Sequence, residues 1–595
     1  MPAARFDNLA DPEQGFRLAG YRGEIVAWRP DEVGPAIAAA ERAAAGKLWA
    51  AGFVSYEAAP GLDPSLSVHA ADGPEGHAPP LVWFGLFERR EAVAPLEARD
   101  GPAPAPTAPA NPEGAAGWSL DSDPTEHRDQ VDRIRAHIGA GDIYQLNLTN
   151  QWHAAAPPDP WELYRRLALG QRPAYAAFID TGRHVVASAS PELFFCWRGD
   201  LLTCRPMKGT AARGRWTGED TAVATALEES AKDRAENVMI VDLVRNDVGR
   251  LAQYGTVNVP GLFNLERYPT VWQLTSSVSA TTRPGTTLVS IFQALFPCGS
   301  VTGAPKRRSM DLISVVEGRP RGVYCGAVGF VGPDEARFNV AIRTAVVDRH
   351  SGRAVYGSGG GIVWDSEPER EFAEALSKAA ILFTPTEDFD LIETMAFVPG
   401  AGLRNRERHL RRLAESAAYF DFRYAAAEGA ERLDEILGAQ LDPARVRLSL
   451  SRHGRLKVEI TPYAEPADRA PVRLAIDHEP VKSDDIWLFH KTSRRQRYGA
   501  ARARHPDADD AVGVNERGEV TETTVANLAV RIAGRWLTPP LDSGCLPGVG
   551  RACALDDGTL LESPITVADL RGAEEIAVLS SLRGWRRAVL AFEES

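Results

Sequence analysis

The sequence predicts a protein of two modules, each of which mixes helices and strands in an α+β fold. Its 595 residues are too many for one hydrophobic core. A polar stretch at 384–388 separates a helical pattern from a new strand pattern. We therefore predict a first module with parts at 1–118 and 119–383, a linker at 384–390 and a second module at 391–595.

The composition indicates a soluble cytoplasmic protein. Hydrophobic residues make up 44% and charged residues 25% of the chain, and the formal net charge of -13 argues against binding to nucleic acid. The 6 cysteines form no Cys-x-x-Cys pair, which is typical of reduced thiols. The amino-terminal residues lack the apolar core of a secretion signal, and no apolar run reaches the roughly 18 residues of a membrane span.

Three segments of the first module carry recognisable patterns. Residues 94–117 are rich in Pro and Ala and predict an extended surface excursion. Residues 219–248 predict one long helix, because acids crowd its start and valines recur at helical spacing. Residues 338–344 alternate like a strand, with Arg343 opposite an apolar row. Arg343 then faces either solvent or a polar cavity.

The second module shows strand and helix patterns in clear blocks. A strand is expected at 391–397, followed by a helix from about Asn405 whose apolar residues recur at three and four positions. Further strand patterns lie at 446–452, 455–462 and 471–477. Strands grouped in this way before a mixed remainder favour an α+β domain.

Lys208 is the most informative residue of the first module. It stands beside Gly209 and shortly follows Glu192, a candidate general acid. A lysine can attack carbon once burial or a neighbouring cation lowers its pKa, so the pair suggests covalent catalysis. A solvated surface lysine is the alternative for Lys208 read alone.

Other residues suggest a site for a small dicarboxylate. Glu236 and Glu371 are the acids that we assign to Mg²⁺, which prefers one or two carboxylates completed by water and substrate oxygens. Glycine-rich runs at 299–306 and 357–361, the second placed after a strand, could offer backbone N–H groups to an anion. Arg343 could hold a second carboxylate. Exposed helix acids and tight turns remain the alternatives.

Five motifs in order identify residues 142–378 as similar to the chorismate-utilising enzymes. They are Ser190-Pro191-Glu192, Lys232 to Asn237, Asp242 to Asp247, Gly299 to Lys306, and Gly357 to Glu371. Within that family, the lysine of Pro206-Met207-Lys208-Gly209-Thr210 resembles the aminodeoxychorismate synthases, component I, whereas anthranilate synthases usually carry alanine there. The resemblance implies antiparallel sheets flanked by helices.

The resemblance also implies residue roles. Glu236 and Glu371 would bind Mg²⁺ and with it the ring carboxylate, while Glu192 would protonate the departing C4 hydroxyl. Lys208 would attack C2, and ammonia would then add at C4 and expel the lysine. The enolpyruvyl carboxylate would be bound by Tyr324 and Arg343, with Thr302, Gly303, Gly359 and Gly360 nearby.

Gln273 departs from the family pattern. Many relatives place His before Leu in the segment that corresponds to Trp272-Gln273-Leu274, and glutamine cannot transfer a proton near neutral pH. The change fits a product that keeps its enolpyruvyl ether, although it could also be neutral.

The second module carries a second lysine with catalytic context. Lys491 follows strand-like residues 486–489, the rigid support that a cofactor-bearing lysine needs. Glu522 could pair with a pyridine nitrogen, and the run 544–551 could bind a phosphate together with Arg412. Read singly, these residues also fit a surface arginine and a plain turn.

Together these elements resemble the class IV pyridoxal-phosphate fold over residues 391–591. That resemblance implies pyridoxal 5'-phosphate as cofactor and a set of cofactor-binding residues: Arg412, Lys491, Glu522, Asn527, Gly548 and Val549. Substrate choice within the fold is weakly encoded, and Ser580 stands where many members carry Asn. The lyase hypothesis for this module therefore comes from its neighbour.

The leading hypothesis is a bifunctional enzyme that makes 4-aminobenzoate from chorismate through 4-amino-4-deoxychorismate. Its ammonia would come from a separate glutamine amidotransferase subunit, although free ammonia could also serve, and the sequence leaves open whether the chain forms a homodimer through the second module as relatives often do. The alternative is an anthranilate or isochorismate synthase fused to a branched-chain or D-amino acid aminotransferase. A non-catalytic scaffold is disfavoured, because no expected catalytic position is blank.

Overall fold

The computed structural model describes residues 2–70, 76, 78–96, 117–155, 159–383, 389–438, 440–463 and 470–591. The chain forms two compact units. Unit 1 comprises Met1–Arg213 and Val223–Glu387, and unit 2 comprises Gly214–Ala222 and Asp388–Ser595. Most of the predicted Pro/Ala-rich excursion, 97–116, and most of the predicted linker, 384–388, lie outside the described residues.

Unit 1 is built on one antiparallel sheet of 18 strands. They are β1 (Ala3–Asp7), β2 (Phe16–Ala27), β3 (Trp49–Val54), β4 (Val82–Ala92), β5 (Trp118–Leu120), β6 (Gln145–Ala154), β7 (Tyr175–Asp180), β8 (His184–Ser190), β9 (Leu193–Arg198), β10 (Leu201–Arg205), β11 (Met207–Ala212), β12 (Asn258–Arg267), β13 (Val271–Thr281), β14 (Gly303–Ala304), β15 (Ala327–Val331), β16 (Glu335–Val340), β17 (Thr344–Asp348) and β18 (Arg353–Ile362).

The sheet consists of two runs of strands joined where β1 pairs with β2. One run continues from β2 through β4, β3, β15, β16, β9 and β10 to β13, which also pairs with β11 and β12. The other continues from β1 through β7, β8, β17 and β18 to β6. A cluster that includes Phe53, Phe330 and Val186 draws side chains from both runs, so the two halves pack face to face.

Helices cover the outer faces of the sheet. They are α1 (Pro30–Ala45), α2 (Ala59–Leu62), α3 (Pro124–Gly139), α4 (Pro160–Gln171), α5 (Thr217–Glu229), α6 (Ala231–Gly249), α7 (Leu288–Leu295), α8 (Lys306–Val316) and α9 (Pro368–Ala379). One buried cluster joins Ile37 of α1, Val241 of α6 and Phe292 of α7 to Phe338 of the sheet. The first residues of α5 belong to the segment that is counted with unit 2.

Three local predictions for the first module were wrong. The helix expected at 219–248 is two helices, because Ser230 ends the first pattern and caps α6 by accepting a hydrogen bond from the backbone N–H of Asp233. The strand expected at 338–344 ends at Val340, and Arg343 has a left-handed φ of 52°. The glycine-rich run 357–361 lies within β18 rather than after a strand.

Unit 2 contains two sheets. The four-stranded sheet has the order β20-β19-β21-β22, and the eight-stranded sheet has the order β25-β24-β23-β30-β29-β26-β27-β28. Their strands are β19 (Leu391–Val398), β20 (Gly402–Leu403), β21 (Ala444–Leu450), β22 (Leu456–Pro462), β23 (Val472–Val481), β24 (Asp510–Asn515), β25 (Val520–Thr523), β26 (Asn527–Ile532), β27 (Arg535–Thr538), β28 (Leu561–Glu562), β29 (Glu575–Ser580) and β30 (Gly584–Leu590).

The helices of unit 2 are α10 (Arg406–Tyr419), α11 (Ala426–Leu437), α12 (Gln496–Arg504), α13 (Val549–Asp556) and α14 (Val567–Arg571). The strand predicted at 391–397, the helix from Asn405 and the three later strand patterns are confirmed. The strand-like segment before Lys491 was wrong, since Ile486–Leu488 is a 3-10 helix. Among all described residues, no helix is both long and apolar enough to cross a membrane.

A substitution at Gly359 tests how closely β18 must approach β6. A Cβ on Gly359 would stand 2.0 Å from the carbonyl oxygen of Leu148. We expect Gly359→Ala to lower the free energy of unfolding of unit 1 by about 1–3 kcal/mol, because the backbone of β6 must move away. Urea unfolding followed by circular dichroism measures the change.

Gly249→Ala is the matched control. Apart from its chain neighbours and the backbone of its own helix, nothing lies within 4 Å of its Cβ position on α6, so this change should leave stability equal or raise it by about 0.5–1 kcal/mol. Equal unfolding curves for the two variants would contradict the close-approach interpretation.

Candidate active sites

Unit 1 contains a cavity of about 310 Å³ that gathers most of its predicted site residues. Those on its wall are Glu192, Lys208, Glu236, Tyr324, Arg343, Gly359 and Glu371. Thr302, Gly303 and Gly360 are not on the wall, although their neighbours Val301 and Gly361 are. The cavity therefore combines a lysine, an arginine and several carboxylates.

Lys208 enters this cavity from β11. Its Nζ lies 3.4 Å from Oε2 of Glu236, and its side chain is only 17% exposed. A Cβ on Gly361 would stand 2.6 Å from the same Nζ. A side chain at 361 would therefore displace the amine of Lys208 from its present position. In that position Glu236 is its ion-pair partner.

Glu192 is buried and protonates readily. Its Oε1 accepts a hydrogen bond of 2.7 Å from Oγ of Ser300, and the thiol of Cys298 lies 3.9 Å away. Burial raises the pKa of Glu192 to about 7, and the hydrogen bond from Ser300 opposes the rise. A carboxyl group with this pKa can donate a proton near neutral pH.

Two further carboxylates lie on the first turns of α9. Glu371 accepts a hydrogen bond of 2.6 Å from Ser366, and burial raises its pKa. Glu374, which the sequence analysis did not select, also lines the cavity and pairs with Nζ of Lys378 at 2.5 Å. Its spacing of three from Glu371 and four from Lys378 on one helix was the available signal.

The carboxylates of this cavity suit Mg²⁺ in kind and number. Glu236 and Glu371 offer hard oxygen donors. Within the described residues, no group of three or more His, Cys, Asp or Glu side chains could hold a metal ion on its own. One or two protein carboxylates completed by substrate and water is the arrangement that Mg²⁺ commonly uses.

Arg343 and Tyr324 occupy other parts of the same wall. Arg343 reaches the cavity from the left-handed turn after β16 and donates a hydrogen bond to the carbonyl of Lys378. A Cβ on Gly357 would stand 2.3 Å from the ring of Tyr324, so the ring packs against bare backbone. The sequence left open whether Arg343 faces solvent or a polar cavity, and in the structure it faces a polar cavity.

Unit 2 contains a larger cavity of about 530 Å³. All six residues predicted to bind its cofactor lie on the wall: Arg412, Lys491, Glu522, Asn527, Gly548 and Val549. The backbone of Lys491 is fixed to β19, since its carbonyl accepts a hydrogen bond of 2.8 Å from the N–H of Ile392. Rigid support therefore comes from pairing with a strand, although Lys491 itself follows a 3-10 helix.

Lys491 and Glu522 have pKa values shifted toward neutrality. Burial lowers the pKa of Lys491 to about 8, and the nearby charge of Arg412 adds to the shift. Burial raises the pKa of Glu522 to about 7, against a hydrogen bond of 2.7 Å donated by Oη of Tyr498. A lysine and an acid of this kind can exchange protons near neutral pH.

The loop before α13 provides a cradle for a phosphate. A Cβ on Gly548 would stand 1.8 Å from Oδ1 of Asn527, so the loop can pass there only as glycine. Nη1 of Arg412 donates to the carbonyl of Pro547 at 3.0 Å. Backbone N–H groups at a helix start, beside an arginine, suit a phosphate group. With Lys491 and Glu522, the residues present fit pyridoxal phosphate.

Glu393 is a partner that the sequence did not indicate. It is 1% exposed and accepts two hydrogen bonds of 2.8 Å from the guanidinium of Arg412 and one of 2.6 Å from His409. These partners hold its pKa at about 2 despite burial. Glu393 therefore fixes Arg412 at the edge of the phosphate cradle.

Arginines on β21 face the same cavity. Arg445 and Arg447 line it, whereas Val446 and Leu448 between and beyond them are fully buried. This alternation is that of a strand with one polar face. The cavity is therefore cationic beyond what one phosphate requires.

Known proteins resemble both units. The model of the chorismate binding enzyme family matches residues 11–384, and the model of amino-transferase class IV matches residues 390–590. Aminodeoxychorismate synthase of Streptomyces griseus is 42% identical over 295 residues, which cover 49% of this chain and 40% of that protein. Anthranilate synthase component 1 of Streptomyces coelicolor is 39% identical over 296 residues, which cover 48% and 57%.

A solved structure shows the fold of the first match. The 2,3-dihydroxybenzoate-specific isochorismate synthase of Bacillus anthracis aligns with a TM-score of 0.50 and 19% identity over 64% of this chain and 95% of that one. The chain spans about half the length of the curated relatives that it matches. The fold of two modules, a chorismate-binding module followed by a class IV module, is confirmed.

Ser300→Ala tests the environment of Glu192. The hydroxyl stabilises the charged carboxylate, so its loss should move the pKa of Glu192 further above about 7. Carboxyl-selective 13C NMR titration, with Glu192→Gln to assign the signal, measures the midpoint. Ser314→Ala is the control, because Oγ of Ser314 bonds the carbonyl of Asp311 instead. A midpoint that stays or falls in Ser300→Ala contradicts the assignment.

Proposed function

We propose that this chain, which belongs to the chorismate binding enzyme family, makes 4-aminobenzoate in two steps. In unit 1, chorismate and ammonia would give 4-amino-4-deoxychorismate and water. In unit 2, 4-amino-4-deoxychorismate would give 4-aminobenzoate and pyruvate. The observation that carries the proposal is Lys208, placed between Glu236 and the bare backbone of Gly361 in a cavity that also holds the buried acid Glu192.

The first step uses Lys208 and Glu192 as a nucleophile and an acid. The amine of Lys208 attacks C2 of the ring as the C4–O bond breaks, and Glu192 gives its proton to the departing hydroxyl. Ammonia then forms a bond to C4, and the electrons of the C2–N bond return to Lys208. Glu192 can serve because burial keeps much of it protonated near neutral pH.

The remaining residues of the cavity hold the substrate. Mg²⁺, bound by Glu236 and Glu371, would neutralise the ring carboxylate. Arg343 and Tyr324 would bind the enolpyruvyl carboxylate, since a guanidinium and a phenol are both donors to carboxylate oxygens.

Lys208 and Gln273 favour amination at C4 over anthranilate formation. The similar proteins include both an aminodeoxychorismate synthase and an anthranilate synthase, so similarity alone does not decide between the two reactions. Anthranilate formation requires a base that removes a ring proton so that pyruvate leaves. The amide of Gln273 is engaged at both ends, by Thr210 and by the carbonyl of Gly209, and an amide is not a base. This supports a product that leaves unit 1 with its enolpyruvyl ether intact.

The second step uses Lys491 to move a proton. Pyridoxal phosphate, when bound, supplies an electron sink for the carbon that loses the proton. Lys491 would take that proton from the ring, Glu522 would hydrogen-bond the pyridine nitrogen, and Arg412 with the Gly548 loop would hold the phosphate. The pKa of Lys491, about 8, suits an amine that both accepts and returns a proton.

The arginines of β21 support the lyase over a branched-chain aminotransferase. 4-Amino-4-deoxychorismate carries two carboxylates, and Arg445 and Arg447 line the cavity of Lys491. A branched-chain amino acid has one carboxylate and an apolar side chain, which gains nothing from two guanidinium groups.

Ammonia would come from a separate glutamine amidotransferase subunit. The two family matches cover residues 11–384 and 390–590, and neither is a glutaminase. Free ammonia at high concentration would replace the subunit in an assay. A homodimer through unit 2 stays a prediction.

The first step is tested with chorismate, Mg²⁺ and ammonium, with products separated by chromatography and mass spectrometry. We expect wild type to form 4-amino-4-deoxychorismate, detected as such or as 4-aminobenzoate after the second step, and Glu192→Gln to lower the summed rate of both products by about 100-fold or more. Lys208→Ala should also slow the reaction while the unfolding curve stays unchanged. Lys457→Ala, an exposed change on β22, is the control. Anthranilate or isochorismate as the main product of wild type contradicts the proposal.

The second step is tested with Lys491→Ala. This variant should release no 4-aminobenzoate, while 4-amino-4-deoxychorismate accumulates at the wild-type rate, because only unit 2 loses its proton carrier. Fluorescence of 4-aminobenzoate follows the product. Normal release of 4-aminobenzoate from the variant would show that the second site lies elsewhere.

A further inference from the structure

Lys208 lies in a β-bulge. Met207 pairs with Thr275 and Thr210 pairs with Gln273, so β11 advances by one residue more than β13 over this interval. The extra residue falls at Lys208 and Gly209, and Gly209 has a φ of 95°. A bulge interrupts the ladder of backbone hydrogen bonds and redirects the side chains beside it.

Two amide side chains satisfy the carbonyl groups at this bulge. Nε2 of Gln273 donates to the carbonyl of Gly209 at 2.7 Å, and Nδ2 of Asn237 donates to the carbonyl of Lys208 at 3.0 Å. Gln273 is 8% exposed and Asn237 is 1% exposed. Buried carbonyl groups need donors, so these amides stabilise the bulge in its present form.

Each amide is itself fixed by a hydroxyl group. Oγ1 of Thr210 donates to Oε1 of Gln273 at 2.7 Å, and Oγ of Ser276 donates to Oδ1 of Asn237 at 2.6 Å. The backbone carbonyl only accepts, so it requires the amide nitrogen on its side, and the hydroxyl then donates to the amide oxygen. The nitrogen of each amide therefore has one orientation, toward the backbone of the bulge.

We infer that Gln273 is a positioning residue for the nucleophile: together with Asn237 it holds the bulge that directs Lys208 to Glu236 and the substrate. The inference rests on the proposed function of Lys208 and deepens it. It gives Gln273 a role of its own, beyond the absence of a base at this position. A displacement of a reacting group by about 1 Å can cost about 100-fold in rate, which is why the backbone here must be fixed.

Gln273→Glu is the sharpest variant. The carboxylate keeps an acceptor for Thr210 but presents an oxygen to the carbonyl of Gly209, so it repels the group that glutamine holds. We expect turnover of chorismate to fall by about tenfold or more while KM stays within about twofold. Gln253→Glu is the matched control: Nε2 of Gln253 donates to the carbonyl of Thr282 at 3.1 Å.

A double-mutant cycle separates positioning from direct contact with substrate. If Gln273 acts through Lys208, Gln273→Glu should change the rate of Lys208→Ala by less than about twofold. Losses that multiply in the double variant would overturn the inference, because Gln273 would then act without Lys208.

A second readout needs no turnover. Acylation of Lys208 by a lysine-reactive ester, measured by mass spectrometry relative to Lys232 on the same cavity wall, should rise by about threefold in Gln273→Glu as the bulge loosens. An unchanged ratio overturns the inference. Wild type that forms neither 4-amino-4-deoxychorismate nor 4-aminobenzoate defeats the proposed function and leaves this readout intact.

Thr210→Val is a milder variant that tests the same inference if Gln273→Glu fails to fold. It removes only the hydroxyl that donates to Oε1 of Gln273, and circular dichroism verifies the fold. We expect a smaller loss of turnover with the same non-multiplying pattern in Lys208→Ala. Full activity of Thr210→Val together with multiplying losses in Gln273→Glu would overturn the inference.

Discussion

Removal of charged groups from bulk water is the constraint on which both sites depend. Glu192 and Glu522 are buried carboxyl groups whose pKa values rise to about 7, and Lys491 is an amine whose pKa falls to about 8. Each shift has loss of hydration as its largest cause, which hydrogen bonds only partly offset at the two carboxyl groups and the charges of Glu393 and Glu522 only partly offset at Lys491. The sheets of the two units have different strand orders, yet in both units burial produces groups that exchange protons near neutral pH. A fully satisfied ion pair would have prevented this, as Glu393 shows with a pKa of about 2.

The rest of the structure shields these groups from bulk water and fixes their positions. In unit 1, antiparallel pairing brings β11, β13 and β18 around the cavity, and helices α6 and α9 close it with carboxylates. In unit 2, β19 fixes the backbone of Lys491 and the loop before α13 forms the phosphate cradle. Glu393 contributes in the same way, because this one buried carboxylate orients both Arg412 and His409.

Local periodicity in the sequence predicted the first long strand of unit 2, its first helix and the next three strands, together with the helical pattern that ends before residue 384. It failed at 219–248 because the recurring valines all lie after Ser230, in α6, so they do not show where the preceding helix ends, and the cap is visible only through its hydrogen bond. It failed at 357–361 because glycines usually break strands, whereas here they permit β18 to approach β6. Motif order located Lys208, Glu192 and Lys491. The roles of Ser300 and Glu393 were missed because they arise from packing between distant segments, whereas Glu374 was missed although its helical spacing is visible in the sequence.

The glycines of β18 restrict how this cavity could be remodelled. Between residues 357 and 361 the strand carries one side chain, Ser358, and its wall is otherwise main chain, whose chemistry is identical for every amino acid. At Gly357, Gly359 and Gly361 a point change can only add atoms, and a Cβ there would stand within 3.0 Å of Tyr324, Leu148 and Lys208 respectively. Divergence of specificity among proteins built on this frame must therefore be sought on the other walls, where β13, α6 and α9 present side chains.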